Sequence, residues 1–161
     1  MEGYGTETEY CIWVDICLSL GQLFRIAEDI GCEQALNKYV IKIMEQPMEK
    51  LGPKVAGEDA SKSLLRGLFV SNLCKAGHQK TIDFALAEMD KLFNDPKYKL
   101  DVDLVEAIYR AYASNGTDSF NKLMKLHSDA DMMEEKNRLE RSISSVKSSE
   151  DFEKVLDFIL R

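Results

Sequence analysis

The chain has 161 residues, of which 45% are hydrophobic, with three prolines and a formal net charge of −7. This length suits one compact domain, and this hydrophobic content argues against a disordered tail. Lysines and arginines are mixed with acids throughout and form no uniform basic face, which argues against nucleic-acid binding. Asp15 interrupts the most apolar stretch, which argues against a membrane span.

Apolar residues recur at helical spacing along nearly the whole chain, which predicts an all-α fold of about eight helices. The predicted helices cover residues 8–30, 33–46, 59–76, 79–94, 102–114, 117–128, 131–147 and 149–161. A short alternating run at 98–104 is a weak competing strand signal. Residues 1–8 are expected to form a flexible N-terminal segment.

Glycines and capping residues divide this pattern at plausible helix ends. Helices should stop near Gly31, Gly77 and Gly116. They should start at Asp101 or Asp103, at Thr117 and at Ser149. Two helices with their links occupy about 40 residues, the period of HEAT-like repeats, and short links favour antiparallel neighbours. We expect a single domain of residues 1–161, stacked as a HEAT/armadillo-like α-solenoid; since no sequence repeat is visible, an irregular helical bundle is the alternative.

The four cysteines are far apart and form no C-x-x-C pair, which argues against a zinc ribbon or a redox motif. We interpret them as reduced and mostly buried in the core, with a disulfide as the alternative. The start of the chain lacks a basic segment followed by an apolar core, so it does not resemble a secretory signal. Together these features favour a cytoplasmic protein.

The two histidines suggest structural roles before catalytic ones. His127 could bind a metal with Asp131, four residues later, but it also lies near a predicted helix C-terminus, where a histidine favours the helix dipole. His78 follows a glycine stop, where a turn or capping role is expected. No phosphate-binding glycine loop, H-E-x-x-H or G-x-S-x-G motif is present. We therefore assign no catalytic, cofactor-binding or metal-binding residue to this chain.

The stretch "HSDADMMEEKNR", residues 127–138, gathers acids and bases at the start of a predicted helix. Glu134 follows Asp131 by three positions, which is capping-box spacing with aspartate in place of the usual serine or threonine. Acids in the first turn also favour the helix dipole. Helix-end chemistry therefore accounts for the cluster without a metal.

Several stretches resemble the C-terminal helical domain of the puromycin-sensitive aminopeptidases, a gluzincin-type zinc family. They are "YCIWVDICLSLGQL" at 10–23, "LLRGLFVSNLCKAGHQKTIDFA" at 64–85, "LMKLHSDADMMEEKNRLERSIS" at 123–144 and "KVLDFIL" at 154–160. The resemblance implies the helical domain that closes over the active site and limits peptide access. The family's H-E-x-x-H and G-x-M-E-N motifs are absent here, so its catalytic residues have no counterpart in this chain.

What the resemblance implies is therefore a non-catalytic fragment of a larger aminopeptidase, with the zinc and the catalytic domain in the rest of the polypeptide. Its ligands would be peptide substrates, whose free carboxylate would be attracted to cations in the cavity. Lys136, Arg138 and Arg141 are the candidate contacts. The alternative is that they form ion pairs with Glu134, Glu135 and Glu140. For the whole chain, the alternative is a free-standing helical-repeat module that binds a protein or peptide.

Overall fold

The computed structural model describes residues 9–160, and all regular secondary structure in that range is helical. The helices are α1 (Tyr10–Ile30), α2 (Glu33–Leu51), α3 (Ala60–Lys75), α4 (Gln79–Asn94), α5 (Val105–Ala113), α6 (Thr117–Asp129), α7 (Met133–Ile143) and α8 (Ser149–Ile159). The all-α prediction is confirmed, and the described range has no strand at 98–104. The predicted flexible segment 1–8 lies outside the described residues.

The chain divides into two compact units, residues 1–81 and 82–161, and the boundary falls within α4. In the first unit, α1, α2 and α3 pack against one another. Their core consists of large apolar side chains, namely Trp13, Leu20, Phe24, Val40, Met44, Leu65, Phe69 and Leu73. That the whole chain acts as a single domain stays a prediction.

In the second unit, α5, α6 and α7 pack against one another. Fully buried side chains of this unit are Met89, Ile108, Phe120, Leu123, Leu139 and Ile143. Helix α8 is tied to α6 by a hydrogen bond from Thr117 Oγ1 to the buried carboxylate of Asp151, at 2.8 Å. This bond fixes the rotation of α8, since Asp151 lies in its first turn.

Two of the three predicted glycine stops end a helix in the same way. Gly31 and Gly77 have φ angles of +70° and +82°. The residue after each glycine donates its backbone N–H to a carbonyl five positions earlier, from Cys32 to Ala27 and from His78 to Leu73. Only glycine adopts this left-handed geometry without strain, so these positions fix where α1 and α3 end. His78 therefore lies in the predicted turn, where its Nδ1 is 2.7 Å from Thr81 Oγ1.

Several predicted boundaries are wrong by one to five residues. Helix α2 continues through the buried Pro47 to Leu51 instead of stopping at residue 46. Helix α7 ends at Ile143 instead of 147. The N-cap of α8 is Ser148, whose hydroxyl accepts from Asp151 N, and not Ser149.

Helix α1 is also long and apolar enough to cross a membrane, with a mean hydropathy of 1.3 over an 18-residue window. A core helix of a water-soluble protein has the same length and composition. Trp13, Leu20 and Phe24 are buried in the core of the first unit. The composition of α1 is therefore weak evidence for a membrane span.

The cysteines are free, but their predicted burial holds for only part of the set. Cys74 is buried and Cys17 is half-buried, and burial raises their thiol pKa values to about 12 and about 11. Cys11 and Cys32 are exposed, which corrects the expectation that most of the thiols lie in the core. Because a thiolate is the reactive form, Cys17 and Cys74 should be poor nucleophiles.

The longest loop, between α2 and α3, is closed by a partly buried ion pair. Arg66 binds both carboxylate oxygens of Glu58, at 2.7 and 3.0 Å, and its Nε donates to the carbonyl of Gly52 at 2.9 Å. The Ser63 hydroxyl also donates to Glu58, at 2.8 Å. These hydrogen bonds, led by those from Arg66, lower the pKa of Glu58 to about 2.

Glu58→Gln is expected to destabilise the chain at neutral pH, because it leaves the buried guanidinium of Arg66 without its partner charge. A folded-state pKa below the ordinary value means that Glu58 stabilises the fold above its unfolded pKa. That contribution should disappear as the pH falls from about 4.5 towards about 2. Urea titrations across this pH range measure the contribution.

Glu49→Gln, in an exposed pair with Lys80, is the matched control and should change the free energy of unfolding little. A wild-type-minus-variant difference that stays constant with pH would contradict the assignment.

Candidate functional site

The candidate residues predicted on α7 form two separate groups of contacts. Arg138 Nη2 binds the carboxylate of Glu134, one turn earlier, and its Nη1 lies 3.6 Å from Glu135 Oε2. Arg141 reaches α5 instead, where its Nη2 lies 3.3 Å from Glu106 Oε2. The two arginines therefore form ion pairs with different helices, although they are only three residues apart.

The Arg138 group continues into the second unit's core through Tyr109. This side chain is buried on α5, and its hydroxyl donates to Glu135 Oε1 at 2.5 Å. Burial, followed by the hydrogen bond to the Glu135 carboxylate, raises the pKa of Tyr109 well above its usual range. Tyr109 therefore stays a neutral donor and holds Glu135 in place beside Arg138.

A pocket of about 240 Å³ adjoins this network. Its apolar lining consists of Leu92, Leu100, Val102 and Val105. Its polar lining includes Lys99, Tyr109, Glu135 and Arg138. The lining thus combines apolar walls with two cations, Lys99 and Arg138, and one carboxylate, that of Glu135. The two cations beside apolar walls suit a ligand that carries an apolar group next to an anion.

A second groove, of about 520 Å³, lies between α7 and α8. Its lining consists of Asn137, Glu140, Arg141, Ile143, Phe158 and Ile159. Lys136, the third candidate, is half-buried and lines neither of these two grooves of the described chain. The structure thus separates the three predicted cations into three environments.

His127 lies in the last turn of α6, as predicted. Its Nε2 is 3.0 Å from Glu140 Oε1 on α7, and its ring meets that of Phe158 on α8 edge-on, with centroids 5.1 Å apart. Asp131 lies beyond the end of α6, so the two residues do not share a helical face. His127 on α6 therefore contacts both α7 and α8.

The capping-box prediction for Asp131 is wrong. The N-cap of α7 is Met132, in extended conformation, and it makes no side-chain capping bond. Glu134 and Glu135 do lie in the first turn, where the helix dipole favours acids. Within residues 9–160, no group of three or more His, Cys, Asp or Glu residues is placed to hold a metal ion.

Sequence reasoning missed the residues that other helices contribute to this surface. Tyr109 and Glu106 lie on α5, Lys99 lies in the link before it, and Phe158 lies on α8. Tyr109 and Phe158 follow ordinary helical spacing, so no local pattern distinguishes them from core residues. Only the packing of α5 and α8 near α7 brings them to Glu135 and Glu140.

Comparison with known proteins matches the entire chain, residues 1–161, to the model of the ERAP1-like C-terminal domain. The chain is 33% identical over 127 residues to a puromycin-sensitive aminopeptidase of Caenorhabditis elegans, a match covering 74% of this chain and 13% of that protein. It is 28% identical over 166 residues to aminopeptidase M1-A of Oryza sativa subsp. japonica, covering 98% of this chain and 19% of the relative. Aminopeptidase M1 of Arabidopsis thaliana is 25% identical over the same shares. The chain thus spans less than one fifth of the relatives' length.

Proposed function

Since this chain belongs to the family of ERAP1-like C-terminal domains, we propose that it is a non-catalytic helical part of a longer zinc-dependent aminopeptidase. The match over residues 1–161 carries this proposal, and the relatives named as aminopeptidases support it. Zinc is assigned to the rest of the polypeptide, because the H-E-x-x-H motif of zinc aminopeptidases does not occur in this sequence. The catalytic domain of the same polypeptide is the first partner, and the whole acts in the cytoplasm.

The proposed role is to close the active-site cavity and to limit or orient peptide substrates. The pocket of about 240 Å³ supports this role, because its lining combines apolar side chains with Arg138 and Lys99. A peptide carries an apolar side chain and a carboxylate at its C-terminal residue, which matches this combination of groups. Arg141 is the weaker candidate, because it borders the second groove and does not line the pocket of about 240 Å³.

The purified chain is expected to show no turnover of aminoacyl-naphthylamide substrates with zinc present. The physical reason is that a zinc aminopeptidase needs a ligand set with an open coordination position, and H-E-x-x-H is absent here. Turnover that a chelator abolishes would contradict the proposal. A second test is to sequence the gene upstream of residue 1. An H-E-x-x-H motif in the same reading frame would support the proposal.

A free-standing helical-repeat module that binds a protein or peptide is the alternative, and the two grooves beside α7 are the observation that favours it. Such a module would be encoded with its own start and stop, and its ligand would be captured without any catalytic partner. Finding the aminopeptidase motifs in the same reading frame would exclude this alternative.

A further inference from the structure

Helix α8 presents a continuous apolar stripe to solvent. Phe152, Leu156, Ile159 and Leu160 lie at i, i+4, i+7 and i+8, which places them on one side of the helix. They are between 43% and 84% exposed. Three large apolar side chains on an 11-residue helix, with Leu160 at its C-cap, are more than scattered surface residues, so the stripe is a candidate interaction site.

Helix α8 is attached to the rest of its unit through side chains that are not part of the stripe. The neighbouring side of α8 holds Val155, which is buried, and Phe158, whose ring meets that of His127. Asp151 on the same side is buried and accepts the Thr117 hydroxyl. These contacts turn that side of α8 towards α6 and leave the stripe accessible.

The residues along the two edges of the stripe indicate which kind of surface would fit it. Exposed acids, Glu153 and Asp157, run along one edge, and neither forms an ion pair within the described residues. On the other edge, Ile159 leads into the groove of about 520 Å³ beside α7. The complementary surface is therefore an apolar ridge with a basic row along one side.

A second copy of this chain would not match that requirement. A two-fold dimer joined through α8 would place the same acidic row on both partners, and the chain carries a net charge of −7. The relatives, moreover, are at least five times as long as the matched segment, at 13–19% coverage.

We infer that the α8 stripe seats a further amphipathic helix with lysines or arginines beside its apolar face, supplied by the same longer polypeptide. This inference rests on the proposed function for the source of the helix, while the basic amphipathic chemistry rests on the α8 surface alone. In this arrangement the further helix covers the exposed apolar side of α8.

The probe is a fluorescent synthetic amphipathic helix of about 20 leucine-rich residues, made with lysine or glutamate flanks. Measured by anisotropy, the lysine-flanked form should bind this chain about tenfold more tightly. Leu156→Asp/Ile159→Asp should abolish binding, and circular dichroism checks that it stays folded. Glu153→Lys/Asp157→Lys should reverse the preference for the flanks.

The matched control is Glu28→Lys/Asp90→Lys, at exposed positions of α1 and α4, with the same charge change. It should leave the preference within about twofold. A reversal by the control, or binding that Leu156→Asp/Ile159→Asp does not alter, would overturn the site. Self-association that Leu156→Asp/Ile159→Asp abolishes would make a second copy the occupant and overturn the inference.

The source of the helix is tested with the chain extended through the sequence that follows it in the parent frame. The extended chain should no longer bind the lysine-flanked peptide, because its own helix occupies the stripe. Undiminished binding would overturn the same-polypeptide source. A parent frame without H-E-x-x-H would refute the proposed function and leave the peptide result standing, so the two failures are distinguishable.

Discussion

Replacing Trp13 by alanine is expected to lower the free energy of unfolding by about 3–5 kcal/mol, the largest stability effect predicted for this chain. Trp13 is fully buried in the core of the first unit, and its ring meets Phe69 edge-on with centroids 4.8 Å apart. The variant loses the transfer free energy of the indole, leaves a cavity and breaks this aromatic contact. For a domain stable by about 5–15 kcal/mol, that is a large fraction of the total.

Urea unfolding followed by circular dichroism measures the effect, since Trp13 is the chain's one tryptophan and the variant has no indole fluorescence. Ile30→Ala is the matched control on the same helix, because Ile30 is 67% exposed. It should change stability by about 0.5 kcal/mol or less. A loss below about 1 kcal/mol for Trp13→Ala would show that α1 does not form the core of its unit.

The presence of the helices could be predicted from the sequence, because apolar spacing and glycines that end helices are local signals. Gly31 and Gly77 end α1 and α3 where the pattern indicated, and α6 begins at Thr117 as expected. The end of α2 could not be predicted in this way. Pro47 is a strong local stop signal, yet α2 continues through it to the half-buried Met48 and Leu51, which pack on the core.

The early end of α7 has a local cause that the apolar spacing concealed. The hydroxyls of Ser142 and Ser144 donate to the carbonyls of Arg138 and Arg141, and Ser145 N donates to the Ser142 carbonyl. Serine side chains that bond to the backbone compete with helix continuation. Val146 nevertheless fits the helical period, so the apolar pattern alone extends the helix too far.

The candidate surface depended on tertiary packing, and its residues could be predicted only on α7. Arg138 and Glu134 are one turn apart, so their ion pair follows from helix geometry. The contacts of Arg141 with Glu106 and of Glu135 with Tyr109 join α7 to α5, which no local spacing encodes. Likewise, the α8 pattern predicts an apolar face, but only the fold shows that Val155 is buried and Leu156 is not.

Arg138→Met, made in the longer aminopeptidase, is expected to raise KM about tenfold for peptides with a free C-terminal carboxylate. KM for the same peptides with an amidated C-terminus should not change, and neither should turnover of aminoacyl-naphthylamides. Methionine keeps an apolar stem beside the pocket and removes the charge together with the N–H donors of the guanidinium. The test is a comparison of KM and kcat for matched acid and amide peptides.

The effect requires Arg138 to exchange partners, and the geometry permits it. Glu134 is 67% exposed, so its pair with Arg138 is weak and a peptide carboxylate can replace it. Glu135 does not depend on Arg138, because it also accepts the Tyr109 hydroxyl. The variant should therefore stay folded while losing the charge that a carboxylate would meet.

Arg141→Met and Lys136→Met are the matched controls, since each removes one charge from the same helix outside the 240 Å³ pocket. If either raises KM as much as Arg138→Met does, the effect is long-range attraction and not a contact in that pocket. If all three variants leave KM within about twofold for acid and amide peptides, these cations do not bind peptide. The role of the two arginines is then structural. Arg138 forms an ion pair within α7, and Arg141 joins α7 to Glu106 on α5.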